Sequence, residues 1–376
     1  MEIDFARPYF DDAEREAVVK VMEGHWLASG PENAAFEKEF AEYVGVDHAL
    51  CVNSGSAGNL LALASLGLRK GSRVMTSGCG FPATLNPILH LGFEPLLLDY
   101  DLRTHNIDLE QAAKNIGKVD AVIVAHTMGS PVDMRLLREM AGHFGVYVVE
   151  DCCEAVGASI DGKQVGAWGD CGTFSFYPSH QITALGGGGM VTFRDKKHYE
   201  RAKSMRDWGK IPSWDTGRNQ TVYSTNVGGV PYFPHYTYQT VGHNMKLPEA
   251  NAAFGREQLK RLDWIVAERN RIHDYIAPKV GWNVDVVKGA IPSWFGVCLT
   301  HPNRDKVGLL LEGMGVGHRP FFAGNITKHE PYKQYAGNFP VADWLMRHAY
   351  FIGCWAGMTQ EQMDYIVSAI NEVRDS

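Results

Sequence analysis

From residue 48 onward, short apolar runs alternate with stretches of helical spacing, and no other feature narrows the fold as much. ALCVN (49–53), RVMTS (73–77), PLLLDY (95–100), DAVIVAH (120–126) and VYVVED (146–151) each have an apolar centre. Runs of this kind read as strands buried on both faces. A turn and a helix-like stretch follow each one, which predicts βα units, a mainly parallel sheet and helices on both sides of it. Ligands of such sheets collect beyond the carboxyl ends of the strands. The residues that close each apolar run are therefore the first candidates for chemistry.

The flanks add to this plan. Residues 11–24 and 32–44 have helical spacing of apolar positions and are separated by Gly30-Pro31. Downstream, MVTFRD (190–195) reads as a strand and HYERAKSMRDWG (198–209) as a basic helix. Residues 211–243, rich in Pro, Gly, Tyr and Thr, form an excursion long enough to suggest function. A long helix at about 247–279 leads into a βαβ-like tail, 283–376. The expected division is a large domain at 1–260, with N-terminal helices and the excursion, and a smaller α/β domain at 261–376.

Charge and composition remove several classes. The chain has 36 Lys and Arg against 43 Asp and Glu, a net charge of −7, and no basic tract. A nucleic-acid partner thus lacks an electrostatic driver. No run approaches the ~18 apolar residues that a membrane span needs. The opening MEIDFARPYF has no basic segment leading into an apolar run, so a cytoplasmic location is the expectation. The seven cysteines lack metal-ligand spacing, which predicts reduced, mostly buried thiols and no metal.

Four features carry possible chemistry. Asp151 closes the VYVVED run, where its carboxylate can partner a protonated heterocyclic nitrogen or simply cap a helix. SGSAGN (54–59) follows a strand and opens a helix, which suits a phosphate or plain capping. The glycine run 186–189 has no Lys-Ser/Thr after it, so it is a tight turn and no nucleotide loop. His180, in FSFYPSHQITALGGGG between a strand and that turn, is a lone histidine, a type more often structural, and only its context makes it a candidate for chemistry. His126, His243 and His329 read as structural.

Taken in order, SGS (54–56), GFPAT (80–84), DYDLRTHNID (99–108), EDCCEAVGA (150–158), FSFYPSH (174–180) and GHNMKLPEANAAFG (242–255) resemble the DegT/DnrJ/StrS family of nucleotide-sugar aminotransferases over nearly the whole chain. The resemblance implies a fold-type I, aspartate-aminotransferase-like enzyme that binds pyridoxal or pyridoxamine 5'-phosphate. By the family pattern, Gly55, Ser56 and Ser175 bind the cofactor phosphate, Phe81 stacks on its ring and Asp151 pairs with the ring nitrogen. Asn244 reaches the phosphate of the neighbouring subunit, which implies a homodimer with shared active sites.

The family's cofactor-linking lysine is expected five residues after Ser175, and that position is His180. The departure resembles the lysine-lacking subgroup typified by GDP-4-keto-6-deoxymannose 3-dehydratase. Glu154 in EDCCEA, SWFG (293–296) and GHRPFFAGN (317–325) point the same way. Glu154 then joins the cofactor-binding set, and Arg319 becomes the binder of an amino donor's carboxylate, expected to be glutamate. Gly186 stands where the family commonly has Glu, and Trp208, taken as substrate-binding, stands where the subgroup has His. Imidazole offers no primary amine, so the cofactor is held non-covalently while His180 serves as catalytic base. The implied reaction removes the 3-hydroxyl of a nucleotide-linked 4-keto-6-deoxysugar. Amino transfer through another lysine such as Lys210, oxidative deamination, and a non-catalytic sensor are the rival readings.

Overall fold

The computed structural model describes residues 1–211, 223–282 and 284–374. Seven strands form its central sheet: β1 (His48–Val52), β2 (Arg73–Ser77), β3 (Glu94–Leu98), β4 (Ala121–Ala125), β5 (Tyr147–Asp151), β6 (Cys171–Ser175) and β7 (Gly189–Phe193). Their spatial order is β1-β7-β6-β5-β4-β2-β3. Strands β6, β5, β4, β2 and β3 are parallel neighbours, and β7 runs antiparallel between β1 and β6. The alternating apolar runs thus become the α/β sheet they predict. The carboxyl ends of β1, β2, β4, β5 and β6 and the start of β7 all lie along one edge.

Burial on both faces explains the runs. Val122, Val124 and Val148 pack into one apolar cluster with Met134 and Leu137. Their neighbours Ala121, Ile123 and Val149 enter another with Leu50, Leu61, Leu85 and Ile88. Helices α1 (Asp12–Glu23), α2 (Pro31–Val44), α3 (Gly55–Ser65), α4 (Pro82–His90), α5 (Met134–Phe144) and α6 (Lys196–Arg206) clothe this sheet. Of the excursion, 212–222 lies outside the described residues, and Thr225–Val227 pairs with Val230–Tyr232 as a hairpin.

The long helix expected at about 247–279 is two helices, α7 (Glu249–Lys260) and α8 (Leu262–Val280). Arg261 leaves the helical region, at φ −110° and ψ 9°, and ion-pairs with Asp11 and Glu14. That tertiary contact, rather than a Gly or Pro, marks the break. Helix α8 serves two cores: Leu262, Ile265 and Val266 join the large one, while Ile272, Ile276 and Val280 join the small one.

The tail is only partly βαβ. Strand β8 (Gly296–Thr300), helix α9 (Arg304–Gly313) and strand β9 (Arg319–Pro320) make a parallel crossover, but β10 (Ala349–Gly353) inserts antiparallel between the two strands. Helix α10 (Gln360–Val373) covers that small sheet. Residues at the very start also pack there: the Ile3 N–H donates to the Gly315 carbonyl at 2.8 Å. No helix among the described residues is long and apolar enough to cross a membrane.

Glu150, on β5 one residue before the strand's end, fixes the floor beneath the ligand edge. It is fully buried. Its carboxylate accepts from the backbone N–H groups of Gly166, Trp168 and Gly169 and from His126 Nε2. Glu150→Ala should strand these four donors and cost about 3–5 kcal/mol, the usual loss when one partner of a buried charged network is removed. Equilibrium denaturation measures it, and a cost below ~1 kcal/mol would show the network to be incidental.

Candidate active site

A cavity of about 640 Å³ opens over the carboxyl edge of the sheet. Into it come Gly55 and Ser56 after β1, Phe81 after β2, Asp151 and Glu154 after β5, Ser175 and His180 after β6, and Arg319 from the small sheet. The site therefore spans the large and small cores.

Asp151 lies at the heart of it, 6% exposed. Its Oδ2 accepts from Asn59 Nδ2 at 2.8 Å and from Thr84 Oγ1 at 2.8 Å, and its Oδ1 accepts from the Cys153 N–H at 3.2 Å. Among the described residues no Lys, Arg or His pairs with it. A carboxylate taken out of water with no cation is costly, so the arrangement favours a cationic ligand. Asn59 itself is oriented by accepting from Thr173 Oγ1. Asn59 and Thr84 were not singled out in the sequence. An Asn opening the otherwise apolar stretch NLLALASL was the available signal for the first.

The phosphate-cradle candidate has a distinct geometry. Ser54 caps α3 by accepting from the Ala57 N–H at 3.1 Å. A Cβ at Gly55 would come within 2.7 Å of Cys153 Sγ and 2.8 Å of the Ser175 Cβ. Only glycine lets the start of α3 approach β6 that closely. Across the same edge, a Cβ at Gly189 would meet the backbone of Ser54 and Gly55 at 2.8 and 2.9 Å, so the glycine run gives β7 its close pass. Ser56 is exposed and Ser175 buried at the resulting helix N-terminus, a setting that attracts anions.

Two titratable groups are pushed in opposite directions. Burial, reinforced by the Arg269 charge, lowers the His180 imidazole to about 3. Its Nδ1 is buried with no hydrogen-bond partner. Burial raises the Glu154 carboxyl to about 8, against the hydrogen bond that its Oε2 accepts from the Met128 N–H at 2.7 Å. Near neutral pH this makes His180 a neutral imidazole and Glu154 an acid that retains its proton.

The remaining expected residues are placed as follows. Phe81, exposed at the N-terminus of α4, walls both this cavity and a neighbouring one of about 660 Å³. Asn244 is exposed and lines only the neighbour. Trp208 lines neither: Lys246 Nζ lies 3.3 Å from its ring centre. Arg319 stacks over Phe5 at 4.7 Å. His126, Glu150 and Cys152 cluster tightly enough to hold a metal. However, His126 Nδ1 accepts from the Val132 N–H, and the Glu150 oxygens are already engaged, so the trio reads as structural. The seven thiols are free, all but Cys153 fully buried.

Residues 8–371 match the model of the DegT/DnrJ/EryC1/StrS aminotransferase family. The chain is 32% identical over 392 residues to dTDP-4-dehydro-2,6-dideoxy-D-glucose 3-dehydratase of Saccharopolyspora spinosa, covering 96% of this chain and 84% of the relative. It is 30% identical over 388 residues to GDP-perosamine synthase of Caulobacter vibrioides, covering 99% and 98%. In three dimensions it is similar to a crystal structure of GDP-4-keto-6-deoxymannose-3-dehydratase, with a TM-score of 0.89 at 24% identity over 98% of this chain and 99% of the other. The fold is the aspartate-aminotransferase-like, fold-type I architecture expected above.

The opposed shifts give opposite pH signatures. Between about 6.5 and about 3 the unfolded chain binds a proton that folded His180 refuses, so this group costs stability as pH falls. Between about 4.5 and about 8 folded Glu154 keeps a proton that the unfolded chain has lost, so that group costs stability as pH rises. Measured by denaturation against wild type, His180→Asn should gain relative stability on acidification and Glu154→Gln on going alkaline. Parallel, pH-independent offsets for both variants would contradict these protonation states.

Proposed function

The chain belongs to the DegT/DnrJ/EryC1/StrS aminotransferase family, and from that premise we propose that it is a nucleotide-sugar 3-dehydratase that uses pyridoxamine phosphate held without a covalent link. The observation that carries this reading is His180. It enters the cavity from the loop after β6, at the place where the family's cofactor-linking lysine is expected. Among the described residues that line the cavity, none is a lysine. Lys210 and Lys246 lie instead beside the Trp208 ring.

The residues fit the cofactor. Asp151 supplies a buried carboxylate that calls for a protonated ring nitrogen, and the Gly55 cradle with Ser56 and Ser175 suits its phosphate. Phe81 would face the ring, and Glu154 would offer its O–H. Asn244, exposed outside its own chain's cavity, would reach the phosphate of a second copy, giving a homodimer with shared sites. When bound, the cofactor would supply a primary amine to capture the sugar's keto group and a ring to draw in an electron pair.

The protein's own part is proton handling. His180, neutral near pH 7, accepts a proton from the carbon that bears the amine. The resulting imidazolium, a strong acid in this buried setting, passes a proton to the departing 3-hydroxyl, which leaves as water. The electron pair that makes the sugar 3-deoxy comes from an amino donor, expected to be glutamate, whose carboxylate Arg319 would bind. The donor leaves as its oxo acid, and ammonia is released.

Incubation with pyridoxamine phosphate, glutamate and nucleotide-linked 4-keto-6-deoxysugars should yield a product lighter by one oxygen. A 4-amino sugar instead would support amino transfer, and no turnover across the panel would support a sensor. His180→Asn should retain cofactor binding but lower dehydration by at least ~100-fold, the scale of general acid–base catalysis. Wild-type dehydration in that variant would reduce His180 to a structural role.

A further inference from the structure

Arg269, on α8, is a charge with an unusual set of partners. It is 3% exposed. Among the described residues no carboxylate pairs with it. Its Nε donates to the Trp294 carbonyl at 2.8 Å, its Nη2 to the Phe295 carbonyl at 3.0 Å and its Nη1 to the His180 carbonyl at 3.4 Å. Burial without an anion lowers the guanidinium to about 10. Three carbonyl dipoles offset part of a desolvation cost that a neutral residue would not incur.

What those contacts join is specific. Trp294 and Phe295 belong to SWFG, a motif for which the proposed reaction has no role. Asn270, the next residue on α8, clamps the same segment by donating to the Pro292 carbonyl at 2.7 Å and accepting from the Trp294 N–H. The Phe295 ring lies against the His180 ring, with centroids 5.4 Å apart, and the Arg269 guanidinium lies 5.8 Å from that same Phe295 ring. From the far side, Gln181 Nε2 donates to the Ser293 carbonyl at 2.8 Å. The loop carrying His180 is therefore fastened to 293–295, and Arg269 reaches both.

We propose that Arg269 is the positioning residue for His180: by tying the His180 carbonyl to those of Trp294 and Phe295, it sets the imidazole at the cavity wall and keeps a fixed positive charge behind it. The inference rests on the reading of His180 as the base. A charge placed there favours the neutral imidazole, in keeping with the depressed titration of His180. The other ionisable groups that line the cavity are Tyr100 after β3, His126 after β4, Asp151, Cys153 and Glu154 at and after the end of β5, Tyr177 on the loop of His180, and Arg319 on the small sheet.

The test uses histidine-labelled protein and NMR titration, with the His180 signal assigned by its loss in His180→Asn. Arg269→Gln should raise the His180 midpoint by about one unit or more, since a fixed charge close by shifts a pKa by that order. It should also lower kcat by at least ~10-fold, the scale of a misplaced catalytic group, with little change in the sugar's KM. Arg269→Lys keeps the charge but cannot bridge the two segments. Its midpoint should stay near wild type while kcat still falls. If Arg269→Gln does not fold, the lysine variant decides, and wild-type kcat in it overturns the proposal. An unchanged midpoint in folded Arg269→Gln also overturns it. The titration needs no substrate, so it judges Arg269 even if no sugar is turned over and the dehydratase reading itself fails.

Discussion

The carboxylate of Asp151 is withdrawn from water and held by three hydrogen bonds, yet no cation accompanies it among the described residues. Much of the site's construction follows from keeping that charge in place. Asn59 on α3 and Thr84 on α4 donate to it, so two helices that follow different strands are anchored to the end of a third. Asn59 is in turn locked by Thr173 on β6. The sheet edge thus becomes a preorganised acceptor, and a protonated heterocycle is the ligand chemistry that satisfies it without adding a buried countercharge from the protein.

Around that centre the protein separates proton donors from proton acceptors by environment. His180 is kept neutral by burial and by a cation behind it, and Glu154 is kept protonated by burial and by the nearby Asp151 charge. Groups driven apart in this way are suited to complementary acid and base roles at one pH. The small sheet contributes through 293–295 and Arg319, so the chemistry depends on the two cores staying in register. The strained turn at Met128, with φ 59°, lies at the same junction, because its N–H holds Glu154 and its carbonyl receives the Phe295 N–H.

The sequence was most informative where period and punctuation are local. Apolar runs located the parallel strands, strand ends located Asp151 and the loop of His180, and the family resemblance supplied Ser175. It was least informative where a feature depends on distant residues. The break at Arg261 comes from ion pairs to Asp11 and Glu14, and the antiparallel insertion of β10 comes from pairing across about fifty residues of chain. Arg269 has no local signal of its role, because its partners are carbonyls from 180 and 294–295. Trp208 shows the converse: a motif position suggested substrate contact, while in its own chain the ring packs under Lys246.

The central claim is that an imidazole has replaced the amine that would bind the cofactor covalently. Borohydride reduction of the protein with pyridoxal phosphate, followed by peptide mass mapping, tests this most directly. The account predicts that bound cofactor is recovered free, with no lysine carrying a pyridoxyl group in stoichiometric yield. A pyridoxylated Lys210 or Lys246 at one per chain would contradict it.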